Sequence, residues 1–128
     1  MTAGLRTDGD RLLRRIGELA TVGPIEGGGS CRLALTEEDR QGRDLVVAWM
    51  RDLSLNVTID GIGNVVGVRP GRLEGPPIMT GSHIDTVRTG GRYDGNLGVL
   101  AGLEVIETLI ENGVETENPL AVAFFTDE

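Results

Sequence analysis

Two short apolar segments flank a long helical segment in the second half of the chain, and this order limits the folds that are open to it. Ile78–His83 is typical of a buried strand that ends in polar residues, and Leu120–Thr126 predicts a second apolar strand. Between them, Leu97–Asn112 predicts a helix that ends at an Asn-Gly pair. A strand, a helix and a strand in this order form a βαβ unit with parallel strands and a right-handed crossover. The sequence therefore predicts an α/β fold.

The first half of the chain adds two helices and a hairpin. Apolar residues recur every three or four positions over Arg11–Ala20, which predicts a helix with one buried face. Thr36–Leu53 begins with an N-cap threonine and three acidic residues, the usual start of a helix. Val57–Ile59 and Asn64–Val68 predict two strands joined by a turn at Asp60-Gly61. A chain of 128 residues has the size of one domain.

The charged and reactive residues exclude several classes of function. The formal net charge is −8, from 12 basic and 20 acidic residues, whereas a protein that binds nucleic-acid phosphates needs an excess of cations. All the basic residues are arginine, so Schiff-base chemistry on lysine is excluded. One cysteine, Cys31, and one histidine cannot form a Cys/His zinc site. We therefore expect no nucleic-acid partner.

The sequence carries no segment that indicates a membrane or export. No apolar run approaches the length of a membrane span, and the polar start Met1–Asp10 lacks the apolar core of a signal peptide. The single cysteine, Cys31, cannot form an internal disulfide, which fits a reducing compartment. We expect a cytoplasmic protein with no membrane partner.

Acidic residues and the only histidine follow the two strands of the βαβ unit. The first strand leads into His83-Ile84-Asp85 and the second into Thr126-Asp127-Glu128. Open α/β sheets bind ligands beyond the carboxyl ends of parallel strands, so both ends should meet at one edge of the sheet. Asp94 lies in the glycine-rich segment 90–95, where glycines permit close approach to an ion. An imidazole with several carboxylates suits zinc, manganese or a similar divalent ion, and two such ions can activate a bridging water.

These motifs also admit interpretations other than a metal site. A lone histidine at a strand end can simply be hydrogen-bonded, with the acids as solvated loop caps. Gly61–Gly67 has the glycine spacing of a dinucleotide-binding turn, but a β-branched segment follows instead of a helix. Ser82 beside His83 suggests a serine hydrolase, yet adjacent strand residues point to opposite faces and the sequence has no nucleophile elbow. Gly27–Ser30 is interpreted as a flexible loop.

Several motifs together give the chain a family resemblance. They are Gly81–Val87, Gly90–Gly95 and Phe125–Glu128, with Arg32–Asp39 and Ile62–Asn64 upstream. The chain resembles the dinuclear-metal amidohydrolases of the M20 metallopeptidase superfamily. The segment 90–95 is similar to the branch that holds N-carbamoyl-L-amino acid hydrolases and allantoate amidohydrolases. The resemblance implies a three-layer α/β sandwich with a mostly parallel sheet, as in a zinc-peptidase-like catalytic domain, here incomplete.

The resemblance also implies roles for four residues. His83 would be a ligand of one metal ion, and Asp94 would be the carboxylate that bridges two. Asp85 would orient His83 through the other ring nitrogen, and Glu128 would be the general base. The family pattern implies two divalent ions (Zn, Mn, Co or Ni), a small ureido or carbamoyl substrate, and a homodimer when complete.

The same resemblance implies that residues 1–128 are the amino-terminal part of a single catalytic domain. In the family, a second glutamate would follow Glu128, and more histidine ligands and an inserted dimerisation domain come later. Two ligands, His83 and Asp94, hold a metal weakly, so we expect this piece alone to be inactive. A sheet without a neighbour for its last strand also predicts self-association. The alternatives are a non-catalytic binding or regulatory module that keeps the fold, and an M20 aminoacylase or peptidase.

Overall fold

The computed structural model describes residues 3–128, which form three helices and four strands. In chain order these are α1 (Gly9–Leu19), α2 (Glu37–Asp52), β1 (Asn56–Ile59), β2 (Val65–Arg69), β3 (Ile78–Ser82), α3 (Asn96–Glu111) and β4 (Leu120–Phe124). Every element predicted from the sequence is present. Met1 and Thr2, the start of the polar segment, lie outside the described residues. None of the helices in residues 3–128 has the length and apolar character that crossing a bilayer demands.

Capping side chains explain where the first two helices begin. Asp8 accepts a hydrogen bond from the amide of Arg11, and Thr36 accepts one from the amide of Asp39. Each cap satisfies an N–H that has no partner within its helix. The third helix begins differently, because Gly95 precedes it with a φ of 74° and without a capping side chain.

The four strands form one sheet in the order β1-β2-β4-β3. β3 and β4 are parallel neighbours, with Thr80 opposite Val122, which confirms the predicted βαβ pairing. The expectation of a mostly parallel sheet is wrong, because β2 is antiparallel to both β1 and β4. The short turn after Ile59 makes β1 and β2 a hairpin, and β2 then pairs with the free side of β4, with Val66 opposite Ala123.

The helices pack on one face of the sheet. On the side of α2, a Cβ built at Gly67 would lie 3.0 Å from the sulfur of Met50. On the side of α3, a Cβ at Gly102 would lie 2.9 Å from Thr80 and from Val122. The buried core joins both helices, α1 and this sheet face, through Ile16, Leu19, Val46, Met50, Val65, Val99, Leu100, Leu103, Ile106, Val122 and Phe124. Residues 3–128 therefore belong to the predicted α/β class, but they form two layers rather than the expected three.

β3 lies at the edge of the sheet and is largely exposed. Ile78 is 63% exposed, whereas Val122 in the neighbouring β4 is fully buried. The prediction of a buried strand at Ile78–His83 is therefore wrong, because no strand among residues 3–128 pairs with the outer side of β3. The predicted apolar strand at β4 is present and buried. The expectation that this last strand lacks a neighbour is wrong, because β2 and β3 lie on its two sides.

Ion pairs connect α1 to α3 beside this core. The guanidinium of Arg11 contacts the carboxylates of Glu104, Glu107 and Glu111, and Arg15 contacts Glu107 at 2.6 Å. The side chain of Glu104 is only 2% exposed. Burial would raise the pKa of Glu104, but hydrogen bonds, mainly from Arg11, outweigh it and lower the pKa. Glu104 is therefore held as a charged group in the interface between the two helices.

Candidate metal site

His83 follows β3, and its ring is held by the backbone. Nδ1 lies 2.8 Å from the carbonyl oxygen of Asp85. A carbonyl oxygen can only accept a hydrogen bond, so Nδ1 carries the proton and Nε2 of the neutral ring keeps a free lone pair. Only 14% of the side chain is exposed. The ring is therefore fixed, with Nε2 as the nitrogen available to a ligand.

Asp94 approaches this ring from the loop that leads into α3. Its Oδ1 lies 3.6 Å from Nε2 of His83, and its side chain is 67% exposed. The next residue, Gly95, makes the approach possible, because a Cβ there would lie 2.4 Å from the carbonyl oxygen of His83. Its positive φ is also one that residues with a side chain rarely adopt. The sequence Asp94-Gly95 therefore fits a close passage of the loop over the end of β3.

Glu128 reaches the same place from the end of β4. Its Oε1 lies 4.0 Å from Nε2 of His83. Its backbone N–H donates to Oδ2 of Asp85 at 3.1 Å. The expected convergence of both strand ends is therefore present, and the structure brings His83, Asp85, Asp94 and Glu128 together at one edge of the sheet.

Asp85 contacts the other ring nitrogen of His83 through its backbone. Its carbonyl oxygen lies 2.8 Å from Nδ1, whereas its Oδ1 is 3.8 Å from Nδ1, too far for a hydrogen bond. The carboxylate accepts from the amide of Glu128, and its Oδ1 is buried without a partner. Asp85 therefore links the ring of His83, which follows β3, to the backbone of Glu128, which follows β4.

The donor atoms around Nε2 fit a divalent ion only in part. Two ligands bound tetrahedrally to one zinc ion lie roughly 3.4 Å apart, close to the 3.6 Å between Nε2 of His83 and Oδ1 of Asp94. A neutral imidazole with a carboxylate is also a donor set that zinc and manganese accept. No three His, Cys, Asp or Glu side chains in residues 3–128 are arranged to hold one ion. This part of the chain therefore supplies two donors and leaves the other coordination positions open.

Arg32 lies behind the site, and only its place in a family motif pointed to it before its contacts were known. The side chain is fully buried. Its Nε donates to the carbonyl of Ile84 at 2.8 Å, and Nη2 donates to the side chain of Asn96 at 3.2 Å. Burial lowers the pKa of this guanidinium, and the negative charges of Asp39 and Asp85 oppose the shift.

The glycine-rich segment at 27–30 is more ordered at its end than a flexible loop. Ser30 exchanges two backbone hydrogen bonds with Gly90, each 2.9 Å long. A Cβ at Gly29 would lie 2.5 Å from the carbonyl oxygen of Gly90, so the two backbones pass very closely. Interpretation as a simple loop missed this pairing, because contacts between residues 60 positions apart leave no local pattern.

Asn64 fixes the end of β4 that carries Glu128. Its Oδ1 accepts the backbone N–H of Thr126 at 2.8 Å. Its Nδ2 donates to Asp60 at 2.9 Å, which sets the orientation of the amide group. Hydrogen bonds from Asn64, its side-chain amide first, lower the pKa of Asp60. The turn between β1 and β2 is thus part of the support for the site.

Comparison with known protein families assigns the chain to a family. Residues 64–128 match the model of Peptidase family M28. The match spans about half of the chain, from the start of β2 through all four candidate site residues, and the chain belongs to this family.

Its particular relatives are amidohydrolases. The chain is 46% identical over 121 residues to the N-carbamoyl-L-amino acid amidohydrolase of Geobacillus stearothermophilus, covering 94% of this chain and 30% of that protein. It is 35% identical over 122 residues to the ureidoglycolate hydrolase of Oryza sativa, covering 94% of this chain and 25% of that protein. A crystal structure of a hydantoinase/carbamoylase family amidase from Burkholderia multivorans superposes with a TM-score of 0.95 at 48% identity, covering 97% of this chain and 30% of that chain.

These relatives confirm the carbamoyl-hydrolase branch that the segment 90–95 indicated. The matching family model carries the M28 peptidase name, whereas the motifs suggested the M20 superfamily. The chain spans less than a third of the length of these relatives.

Proposed function

We propose that residues 1–128 are the amino-terminal part of the catalytic domain of a metal-dependent amidohydrolase. Its substrates would be N-carbamoyl-L-amino acids or allantoate-type compounds, whose linear C–N amide or ureido bond is cleaved. The observation that carries this proposal is the lone pair of His83, which faces the carboxylates of Asp94 and Glu128 at 3.6 and 4.0 Å. The relatives named above are hydrolases of carbamoyl and ureido compounds, which supports the same reaction class.

His83 and Asp94 are the residues that would hold metal. The exposed carboxylate of Asp94 has one oxygen toward His83, which leaves its other oxygen for a second ion. The complete enzyme would bind two divalent ions, Zn, Mn, Co or Ni. When bound, such ions polarise the carbonyl of the substrate and make water more acidic.

Glu128 is proposed as the general base. Its carboxylate would take a proton from the attacking water and deliver it to the leaving nitrogen. Asp85 keeps the backbone of Glu128 in place and fixes the ring of His83, so it would act as a positioning residue for both. The product of this step is an amine, with carbamate released on the other side of the broken bond.

The 128-residue chain alone is expected to be inactive. Two protein donors leave most of the hydration shell of an ion in place, and affinity rises with the number of protein ligands. The complete protein would act on a small molecule as a cytoplasmic homodimer.

Two other functions are separated from this one by experiment. A non-catalytic module would keep the fold but have no reason to keep the metal donors together. A peptidase or aminoacylase is suggested by the M28 family name. A panel of N-carbamoyl amino acids, N-acyl amino acids and dipeptides, given to a longer protein that contains this segment, distinguishes the three.

The decisive test uses that longer protein and two variants, His83→Ala and Asp94→Ala. We expect a chelator to abolish hydrolysis of N-carbamoyl amino acids, and each variant to lose both bound metal, measured by elemental analysis, and turnover. Leu13→Ala, an exposed residue of α1, is the control and should keep both. Full turnover by the Asp94→Ala protein would refute the assignment.

A further inference from the structure

Arg32 joins the two segments that carry the proposed metal ligands. Its Nε donates to the carbonyl of Ile84, which lies between His83 and Asp85. Its Nη2 donates to Oδ1 of Asn96, two residues after Asp94. Nη1 donates to the carbonyls of Leu19 at 3.2 Å and Val22 at 2.8 Å, which anchors the guanidinium to the end of α1.

Stability alone does not explain a charge at this place. The charges of Asp39 and Asp85 act on this fully buried guanidinium from a distance, but among residues 3–128 no carboxylate lies within ion-pair distance of it. Burial of a charge without a paired charge is costly, and an apolar side chain of similar volume is often the more stable choice. The chain also makes room for it, since a Cβ at Gly42 would lie 2.7 Å from Cδ of Arg32.

The contacts of Arg32 control backbone next to the site. The bond to the Ile84 carbonyl fixes the peptide plane that leads into Asp85, whose own carbonyl holds the ring of His83. On the other side, Asn96 connects Arg32 to the loop that carries Asp94, because its Nδ2 donates to the carbonyl of Arg92 at 3.1 Å. The backbone of Arg32 adds a third restraint, since its carbonyl accepts the N–H of Thr86 at 2.7 Å.

We infer that Arg32 is a positioning residue for the proposed metal site, and that its planar guanidinium sets the separation between His83 and Asp94. A guanidinium presents several donors in one fixed plane and can hold two partners at a set spacing, which an ammonium group cannot. The inference rests on the proposed function, because the separation matters only if both residues bind metal.

The first test needs no metal and uses the 128-residue chain with ¹⁵N-labelled histidine. His83 is the only histidine, so its ring signals need no assignment. At about pH 9, above the ordinary titration range of histidine, the wild type should show a protonated Nδ1 and an unprotonated Nε2. Arg32→Met and Arg32→Lys should each show a mixture of tautomers, because the carbonyl of Asp85 is no longer held.

The second test is the zinc affinity of the same proteins, followed through the shift of the Nε2 signal. Loss of groups that orient ligands typically weakens metal binding about 10- to 100-fold, and we expect this for both Arg32 variants. Asn96→Ala should weaken zinc binding while leaving the tautomer of His83 unchanged, since it loosens only the Asp94 side. Glu104→Gln, which removes a buried charge elsewhere on α3, should lower stability without moving either readout.

Each outcome decides a separate question. Wild-type tautomer and wild-type zinc affinity in the Arg32 variants would overturn the positioning role. If zinc does not shift the Nε2 signal of the wild type, the two donors of this chain alone do not hold the ion, and the zinc affinities are compared in the longer protein instead, while the tautomer measurement still tests the contact with Ile84. Failure of the proposed function is detected separately, by the chelation and turnover test on that longer protein. If circular dichroism shows that both Arg32 variants are unfolded, Asn96→Ala decides, and unchanged zinc affinity in that folded variant counts against the inference.

Discussion

Gly95 shows how one residue without a side chain sets the position of a proposed metal ligand, His83. The residue lies between Asp94 and α3, with a φ of 74°, and the backbone of His83 passes directly beside it. The atoms nearest to a Cβ there belong to the carbonyl and the ring of His83, at 2.4 to 2.6 Å. A side chain at position 95 would therefore occupy the volume that the imidazole of His83 fills.

We expect Gly95→Ala to lower the free energy of unfolding by about 1–3 kcal/mol, the usual size of backbone strain at such a position. The new methyl group should also displace His83, which the ¹⁵N signals of its ring would report. Gly91→Ala is the matched control in the same loop, since a Cβ at Gly91 meets nothing within 4 Å. Equal urea-unfolding midpoints for the two variants would show that the loop can relax around the methyl group.

At the scale of elements, the contact between α1 and α3 depends on a buried carboxylate. Glu104 accepts hydrogen bonds from the guanidinium of Arg11 and from the amide of Asp8, so it holds both α1 and the N-cap of α1 against α3. Glu111 also contacts Arg11, but its side chain is 54% exposed. The two glutamates therefore form an ion pair with the same arginine, one buried and one exposed to solvent.

Glu104→Gln should lower the free energy of unfolding by about 3 kcal/mol, because Arg11 loses its most deeply buried partner and keeps only Glu107 and Glu111. Glu111→Gln should cost less than about 1 kcal/mol, since exposed ion pairs are screened by water. Urea unfolding at neutral pH measures both. Similar losses of unfolding free energy in the two variants would show that burial of the carboxylate does not determine the strength of these ion pairs.

The contribution of Glu104 should also depend on pH. Its pKa in the folded chain is lowered from 4.5, so folding favours the charged form. The stabilisation is complete above the pKa of the unfolded chain and is lost as the pH falls through the lower folded pKa. The difference in stability between the wild type and Glu104→Gln should therefore shrink on acidification below about pH 4. A constant difference down to about pH 3 would contradict this linkage.

The sequence predicted the elements well because their signals are local. Caps such as Thr36 and the apolar repeats of the helices depend on residues a few positions apart. The convergence of His83 with Glu128 was also predictable, since parallel neighbours end at the same edge. The pairing of β2 with β4 and the burial of Arg32 were not, because they depend on contacts more than 50 residues apart.

For the whole molecule, the sheet has one helix-covered face and an open edge. β3 pairs only with β4 among the described strands, and Met79 and Ile78 on it are 47% and 63% exposed. An unpaired edge presents free N–H and C=O groups to other chains, and exposed apolar side chains strengthen such contacts.

We expect the 128-residue chain to self-associate as its concentration rises, with a sedimentation coefficient that increases accordingly. Met79→Lys should reduce the association, because a charge on an edge strand opposes pairing between sheets. Leu13→Lys is the control, a charge placed on a residue of α1 that is 55% exposed. A sharp monomer peak for the wild type at high concentration would argue against self-association through the edge strand β3.

Asp85 couples the positions of the two strand ends that form the site. Its carbonyl is bonded to the imidazole and its carboxylate to the backbone of Glu128, so one strand tip cannot slide past the other without breaking a hydrogen bond. We therefore expect the two strand ends to move together, so that the distance between them varies little. If His83 and Glu128 act as proposed, this coupling would keep the metal ligand and the general base at a constant separation during each reaction cycle.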